Sequence, residues 1–117
     1  MKNGEWQINN GSKGEKTRAP DILRRALAYS LRIVKLYREL EKDSAGRILG
    51  KQLLRSATSV GANLHEAQGG QTKADFAAKV SIAYKEAIES SYWLQLVKKA
   101  KLLPEGEAAF LLDETSQ

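Results

Sequence analysis

The chain of 117 residues is 42% hydrophobic and 28% charged, with a formal net charge of +5, values typical of one globular domain that can bury a hydrophobic core. It contains no cysteine, which excludes disulfides, zinc sites with thiolate ligands and thiol catalysis. No apolar run approaches the roughly 20 residues that a membrane span requires. The N-terminus lacks the apolar centre of a secretion signal, so a cytoplasmic location is expected.

Charge is unevenly distributed along the sequence. Residues 20–103 contain 15 Lys and Arg against 8 Asp and Glu, a net of +7, whereas residues 104–117 contain four acidic residues and no basic one. A basic body of this kind favours binding to RNA or DNA. The alternative is a solvated surface without a ligand, and no aromatic RNA-binding motif decides between the two.

The N-terminal part of the sequence predicts a tail followed by a helix. Residues 1–19 are rich in Gly, Asn and Lys and predict a flexible tail, whereas residues 20–117 form the predicted bundle domain. Pro20 and Asp21 suit the first turn of helix 1, which extends to about Leu40. The predicted inner stripe of this helix comprises Ile22, Leu23, Ala26, Leu27, Ser30, Ile33, Val34, Tyr37 and Leu40.

A turn leads into helix 2, which is predicted for about residues 45–67. Asp43 or Ser44 is the expected N-cap, because short polar side chains accept hydrogen bonds from the first free backbone N–H groups. The sequence Gln-Gly-Gly at residues 68–70 ends the helix, since glycine readily adopts the left-handed conformation that closes many helices.

Two further helices complete the prediction. Thr72 is the expected N-cap of helix 3, which covers about residues 73–101, and Pro104 separates it from a short helix 4 over about residues 105–114. No clean alternation of apolar and polar residues indicates a strand. Four helices with short connections predict an all-α, antiparallel up-and-down four-helix bundle.

Helix 3 carries apolar residues on two sides. On a helical wheel the interior side comprises Phe76, Val80, Ala83, Ala87 and Leu94, with Tyr84 and Ser91 beside them. The roughly opposite side comprises Ala78, Ile82, Tyr92, Trp93 and Leu96. Because a monomeric bundle needs only one apolar stripe per helix, the second stripe predicts a protein partner, with self-association as the first expectation. Scattered exposed apolar residues are the alternative.

Helix 2 combines small and polar residues. Its predicted seam comprises Leu53, Ala57, Val60 and Leu64, and a second stripe comprises Arg55, Ser59, Ala62 and Glu66 with Asn63 alongside. Small residues allow helices to approach closely, and polar neighbours can make hydrogen bonds across a helix contact. An interface between subunits and a tight crossing within one chain both fit this pattern.

Residues suited to catalysis or metal binding are scarce. A di-iron bundle site needs two Glu-x-x-His motifs, whereas this chain has a single histidine, His65, and only Glu-x-x-Glu at Glu86 and Glu89. Ser56 and Ser59 have no histidine placed to act as a base, because the single histidine, His65, lies on another part of the helix 2 wheel. We therefore expect no enzyme activity, no catalytic residue, no metal and no cofactor.

Several segments together resemble a known family. They are "AYSLRIVKLYREL" in helix 1, "GKQLLRSATSVGANLHEA" in helix 2, "TKADF" at the start of helix 3, and "SIAYKEAIESSYWLQLVKKAKLL" within it. Across about residues 22–112 the chain is similar to the bacterial four-helix-bundle proteins also called 23S rRNA intervening-sequence proteins. Positions matching the family motif are Arg55, Ser56, Ser59, Asn63, Glu66, Glu89, Tyr92 and Leu94.

The resemblance implies an up-and-down four-helix bundle and assembly into a homopentamer. Some relatives, the accessory proteins of diversity-generating retroelements, are basic pentamers that bind nucleic acid and a reverse transcriptase, while most members have no established biochemical activity. Expected interface residues, from the resemblance and the second stripes together, are Arg55, Ser59, Asn63, Glu66, Ile82, Glu89, Tyr92, Trp93 and Leu96.

Two functional hypotheses follow from the charge and the resemblance. The first is a non-enzymatic, homo-oligomeric scaffold that binds RNA or DNA through phosphates. Its expected contacts are Arg24, Arg25, Arg32, Lys35, Arg38, Lys51, Lys98, Lys99 and Lys101. The second is a protein-interaction module without a nucleic-acid role, in which the charge maintains solubility.

Overall fold

The computed structural model describes residues 18–70, 72–103, 111 and 114–115. Three helices follow one another: α1 (Arg18–Leu40), α2 (Ser44–Gln68) and α3 (Lys73–Lys99). This part of the chain contains no strand, so the all-α class is confirmed and the three long helices match their predicted ranges to within about two residues.

Two predictions fall mostly outside the described residues. The first helix α1 begins at Arg18, two residues before the predicted start of the bundle domain. The remaining residues of the predicted tail, 1–17, lie outside the described residues. Of the predicted helix 4, Leu111 and Glu114 are described, and both are helical, as is Thr115 just beyond it.

N-cap hydrogen bonds define the starts of α2 and α3. The Asp43 carboxylate accepts a hydrogen bond from the backbone N–H of Gly46 at 2.9 Å, which decides between the two expected N-caps. The Thr72 hydroxyl accepts one from the backbone N–H of Asp75 at 3.0 Å. Each bond satisfies a donor that the first turn leaves free.

The end of α3 differs from the prediction. Lys101 has a φ of 59°, and the N–H of Leu102 donates to the carbonyl of Val97 at 3.1 Å. This left-handed termination stops the helix at Lys99, two residues before its predicted end, and uses lysine where glycine is usual.

Glycines of α2 bring α1 and α2 close together. A Cβ atom placed on Gly50 would lie 2.8 Å from the Tyr37 ring and 3.3 Å from the Leu40 Cβ. A Cβ on Gly61 would lie 3.5 Å from that of Ala26. These contacts pair the start of α2 with the end of α1, so the helices are antiparallel. The small residues of α2 thus serve a tight crossing within the chain.

A buried hydroxyl pair joins α2 to α3. Ser56 and Ser90 are both 0% exposed, and their Oγ atoms are 2.8 Å apart. Ser90 Oγ also lies 2.9 Å from the Glu86 carbonyl and Ser56 Oγ 3.3 Å from the Leu53 carbonyl, so one serine donates to the other while the second donates to a carbonyl of its own helix. Each hydroxyl is then satisfied without water.

The described C-terminal residues pack against α1. Leu111 is fully buried in the core, and Thr115 Oγ1 donates to its carbonyl at 2.7 Å. The Tyr29 hydroxyl can therefore donate to Thr115 Oγ1, 2.5 Å away. Burial raises the pKa of Tyr29, so this phenol remains a neutral donor at physiological pH.

The core differs from the predicted stripes in its rotation about two helix axes. On α1, Tyr29 and Leu36 are buried, whereas Leu27, expected inside, is 66% exposed. The expected inner residue Ile22 is exposed as well. On α3, Phe76 was expected inside and Tyr84 beside the interior, but both are exposed. Ser90, which the prediction did not place inside, is buried. The buried residues of the main cluster are Tyr29, Ile33, Leu36, Leu40, Leu53, Ala57, Leu94, Val97, Leu103 and Leu111.

The close crossing at Gly50 generates a stability prediction. We expect Gly50→Val to lower the free energy of unfolding by about 1–3 kcal/mol, because the added atoms overlap the Tyr37 ring and Leu40. Urea unfolding followed by circular dichroism measures the change. Ala62→Val, at an exposed site of the same helix, is the control and should lose only about 0.6 kcal/mol through helix propensity. Equal losses in the two variants would contradict the tight crossing.

Candidate binding surfaces

The predicted nucleic-acid contacts on α1 are all exposed. They are Arg24, Arg25, Arg32, Lys35 and Arg38. Two of them are neutralised locally: Arg24 contacts Asp21 at 2.6 Å, and Arg25 contacts Glu114 at 3.2 Å. The first turns of α1 therefore offer less unbalanced charge than the sequence suggests.

The remaining predicted contacts come from the other two helices. Lys51 is exposed in the second turn of α2, Lys98 is half-buried, and Lys99 and Lys101 are exposed at the end of α3. Because α1 and α3 both run antiparallel to α2, these four residues lie at the end of the molecule where α1 finishes. The nine predicted residues thus do not form one continuous patch.

A cluster of polar side chains lies across the contact between α2 and α3. Arg55 donates from Nη2 to Glu89 Oε2 at 2.5 Å and from Nη1 to Glu86 Oε1 at 3.3 Å. The indole Nε1 of Trp93 donates to the same Glu89 oxygen at 2.9 Å. Nearer the other end, Lys79 contacts Glu66 at 2.6 Å. The sequence pattern assigned Arg55, Glu89 and Trp93 to one surface, and the structure brings them into contact.

These contacts shift two pKa values. The hydrogen bond from Arg55, followed by that from Trp93, lowers the pKa of Glu89. The same bond to Glu89 raises the pKa of Arg55. Because the Arg55 and Glu89 side chains are 51% and 37% exposed, water screens the pair and its contribution to stability is small.

Two other expected interface residues bond within their own helix. Asn63 Nδ2 donates to the Ser59 carbonyl at 2.9 Å and to the Ser59 hydroxyl at 3.0 Å. Neither bond crosses to another helix, so among the described residues the cross-helix polar contacts of the second stripe are those of Arg55 and Glu66. The assignment of Ser59 and Asn63 to an interface remains a prediction.

The apolar members of the expected interface differ in exposure. Tyr92 is 59% exposed and Ile82 is 40% exposed, whereas Leu96 and Trp93 are half-buried. The Trp93 ring packs against the core and meets the Tyr92 ring edge-on, with ring centres 5.0 Å apart. Tyr92 and Ile82 are therefore the residues of this group that another molecule could reach most easily.

A further apolar stripe on α3 was missed by the sequence analysis. Tyr84 and Ile88 are 68% and 55% exposed, and with Tyr92 they recur every four residues. The wheel had placed Tyr84 beside an interior side made of Phe76, Val80, Ala83, Ala87 and Leu94, and it did not include Ser90. The signal available in the sequence was the recurrence of Tyr84, Ile88 and Tyr92 at intervals of four residues.

The described residues form no group of three or more His, Cys, Asp or Glu side chains that could hold a metal ion. His65 Nδ1 lies 3.2 Å from the Gly61 carbonyl of its own helix. None of the helices within the described ranges combines the length and the apolar character needed to cross a bilayer.

Comparison with known proteins identifies relatives of this fold. The family model described as 23S rRNA-intervening sequence protein matches residues 18–117. A solved structure of a protein of unknown function from the S23 ribosomal protein family, from Bacteroides thetaiotaomicron, superimposes with a TM-score of 0.77. The two chains share 36% identity, over 81% of this chain and 88% of the other. A comparison with curated proteins finds no match.

The lowered pKa of Glu89 generates a prediction on acid stability. A carboxylate with a pKa lowered by folding contributes stability above its unfolded pKa and loses that contribution as pH falls through its folded pKa. Below about pH 4.5, the ordinary value, wild type should lose more stability than Glu89→Gln, by less than about 1 kcal/mol. Urea unfolding at a series of pH values measures both, and parallel acid limbs would show that the Arg55 contact contributes nothing.

Proposed function

The chain belongs to the 23S rRNA-intervening sequence protein family, and on that premise we propose that it is a non-enzymatic, cytoplasmic scaffold that binds RNA or DNA. The protein would assemble as a homo-oligomer, a pentamer by family resemblance, from four-helix subunits. Nucleic acid would be held through its phosphates by Lys and Arg, without reading of base sequence.

The observation that carries the proposal is the excess of exposed basic side chains. The body of the chain carries a net charge of +7, from 15 basic and 8 acidic residues in positions 20–103. Lys35, Lys51, Lys99 and Lys101 are all exposed. Such a surface attracts polyanions and accelerates their approach.

A fourth helix is supported by the contacts of the C-terminal residues. Leu111 contributes to the core, Glu114 pairs with Arg25, and Thr115 bonds to Tyr29. Glu114 and Thr115 therefore both contact α1. A helix lying along α1 here would complete the bundle.

A second candidate function is that of a protein-interaction module. The exposed stripe of Tyr84, Ile88 and Tyr92 favours it, because large aromatic and aliphatic side chains are the usual anchors of protein interfaces. Under this alternative the basic charge maintains solubility and makes no contact with a ligand.

The phosphate mechanism makes a quantitative prediction. We expect affinity for a fluorescein-labelled uridine oligonucleotide of about 20 nucleotides to fall roughly 10²- to 10³-fold between about 50 and 200 mM salt, if some six phosphates are contacted. Fluorescence anisotropy measures the dissociation constant at each salt concentration. Binding that does not weaken with salt would contradict the mechanism, and no binding would favour the second candidate.

Assembly makes a separate prediction. Light scattering coupled to size-exclusion chromatography should give a mass close to that of a pentamer for the wild type. The pair Ile82→Ser and Tyr92→Ser should lower this mass, because both residues belong to the expected interface. The matched pair Tyr84→Ser and Ile88→Ser changes the same two residue types. Neither residue belongs to the expected interface, so this pair should leave the mass unchanged. A monomeric wild type would contradict assembly.

A further inference from the structure

The antiparallel arrangement gathers basic residues from all three helices at one end of the molecule. The contact of Gly50 with Tyr37 and Leu40 places the start of α2 beside the end of α1. The contact between Ser56 and Ser90 runs α3 back toward that same end. We define the basic end by the six residues that these contacts bring there: Arg38, Arg47, Lys51, Lys98, Lys99 and Lys101.

Among the described residues, most cations that form ion pairs lie away from the basic end. Ion pairs within 4.0 Å hold Arg24, Arg25, Arg55 and Lys79 to carboxylates. By contrast, no residue of the basic end forms an ion pair with any residue in the described ranges. Among the nearest acids, Glu39 contacts Lys42 and Asp43 caps α2.

The two ends of the molecule consequently differ in charge. Residues 38–51 and 98–101 contain seven basic and three acidic residues, a net of +4. At the other end, residues 21–30 and 61–79 together with Glu114 contain four of each, a net of zero.

The conformation of Lys101 is a second, independent observation. Its φ of 59° belongs to the left-handed region that residues other than Gly and Asn rarely adopt. A lysine in this position is held at the expense of local stability, and unfavourable backbone conformations of this kind occur preferentially at functional sites. Here the strained position adds an exposed ammonium group to the basic end.

We propose that the basic end is a binding site for the phosphodiester backbone of RNA or DNA. The site deepens the proposed function and rests on it. Five cations on three packed helices, and Lys101 just beyond α3, form no ion pair within the described ranges, whereas the paired cations at the opposite end would have to give up their carboxylates. The sequence analysis included five of the six residues and omitted Arg47.

A pair of matched triple variants tests the location of the site. The end variant is Arg47→Gln, Lys51→Gln and Lys99→Gln, and the control variant is Lys73→Gln, Lys79→Gln and Lys85→Gln. Five of these side chains are exposed and that of Lys79 is 40% exposed, and either triple removes three positive charges, from a net of +5 to +2. Circular dichroism and light scattering verify that both variants fold and assemble like the wild type.

The measurement is the slope of log affinity against log salt concentration for the labelled uridine oligonucleotide and for a DNA duplex of equal length. We expect the slope of the end variant to be smaller by about 2 to 3, because each lost phosphate contact removes roughly 0.7 to 0.9. The control variant should keep the wild-type slope. Equal reductions in both variants would overturn the basic end as the site while leaving phosphate binding intact. Absence of salt-dependent binding by the wild type would overturn both.

Lys101→Gly supplies a readout that does not depend on charge removal alone. Glycine relieves the left-handed strain, so the thermal midpoint of unfolding should rise, while the salt slope should fall by about 1. Lys101→Asn, which also tolerates this conformation, should weaken binding in the same way. A more stable variant with unchanged affinity would exclude Lys101 from the site.

Discussion

The buried hydroxyl pair of Ser56 and Ser90 constrains the whole arrangement of α2 and α3. Neither side chain has access to water, so rotating or sliding either helix would break the hydrogen bond between them and leave each hydroxyl only a carbonyl of its own helix, a loss of about 0.5–1.5 kcal/mol. The pair therefore favours the observed rotation of α3 about its axis. That rotation places Glu89 within reach of Arg55 and directs Tyr84 outward.

Sequence reasoning succeeded where the determinants are local. The N-caps Asp43 and Thr72 act within one turn of their own helices, so the starts of α2 and α3 were predictable from short segments. The faces of the helices were less so. The wheel of helix 3 did not include Ser90 in its interior side, and Ser90 is buried beside a hydroxyl partner 34 positions away. The same long-range dependence hid the contacts of Arg55 with α3 and placed Leu27 on the wrong side of α1.

The fold resembles that of a solved structure from the same family. The functional proposal, by contrast, depends on the chemistry of the surface. The basic body of the sequence also contains acidic residues, and within the described ranges folding pairs these carboxylates with some cations and not with others. Ion pairs at Arg24, Arg25 and Lys79 use acidic residues at one end. The tight glycine contacts between α1 and α2 then bring unpaired cations together at the other.

The unequal ends give the described part of the chain an electric dipole along its helix axes. A polyanion approaching in solution exerts a torque on such a dipole and turns the basic end toward itself before any contact forms. If subunits assemble side by side in parallel, their dipoles add, and the assembly presents one charged rim. Orientation on a nucleic acid would then be set by long-range electrostatics, without any base-specific contact.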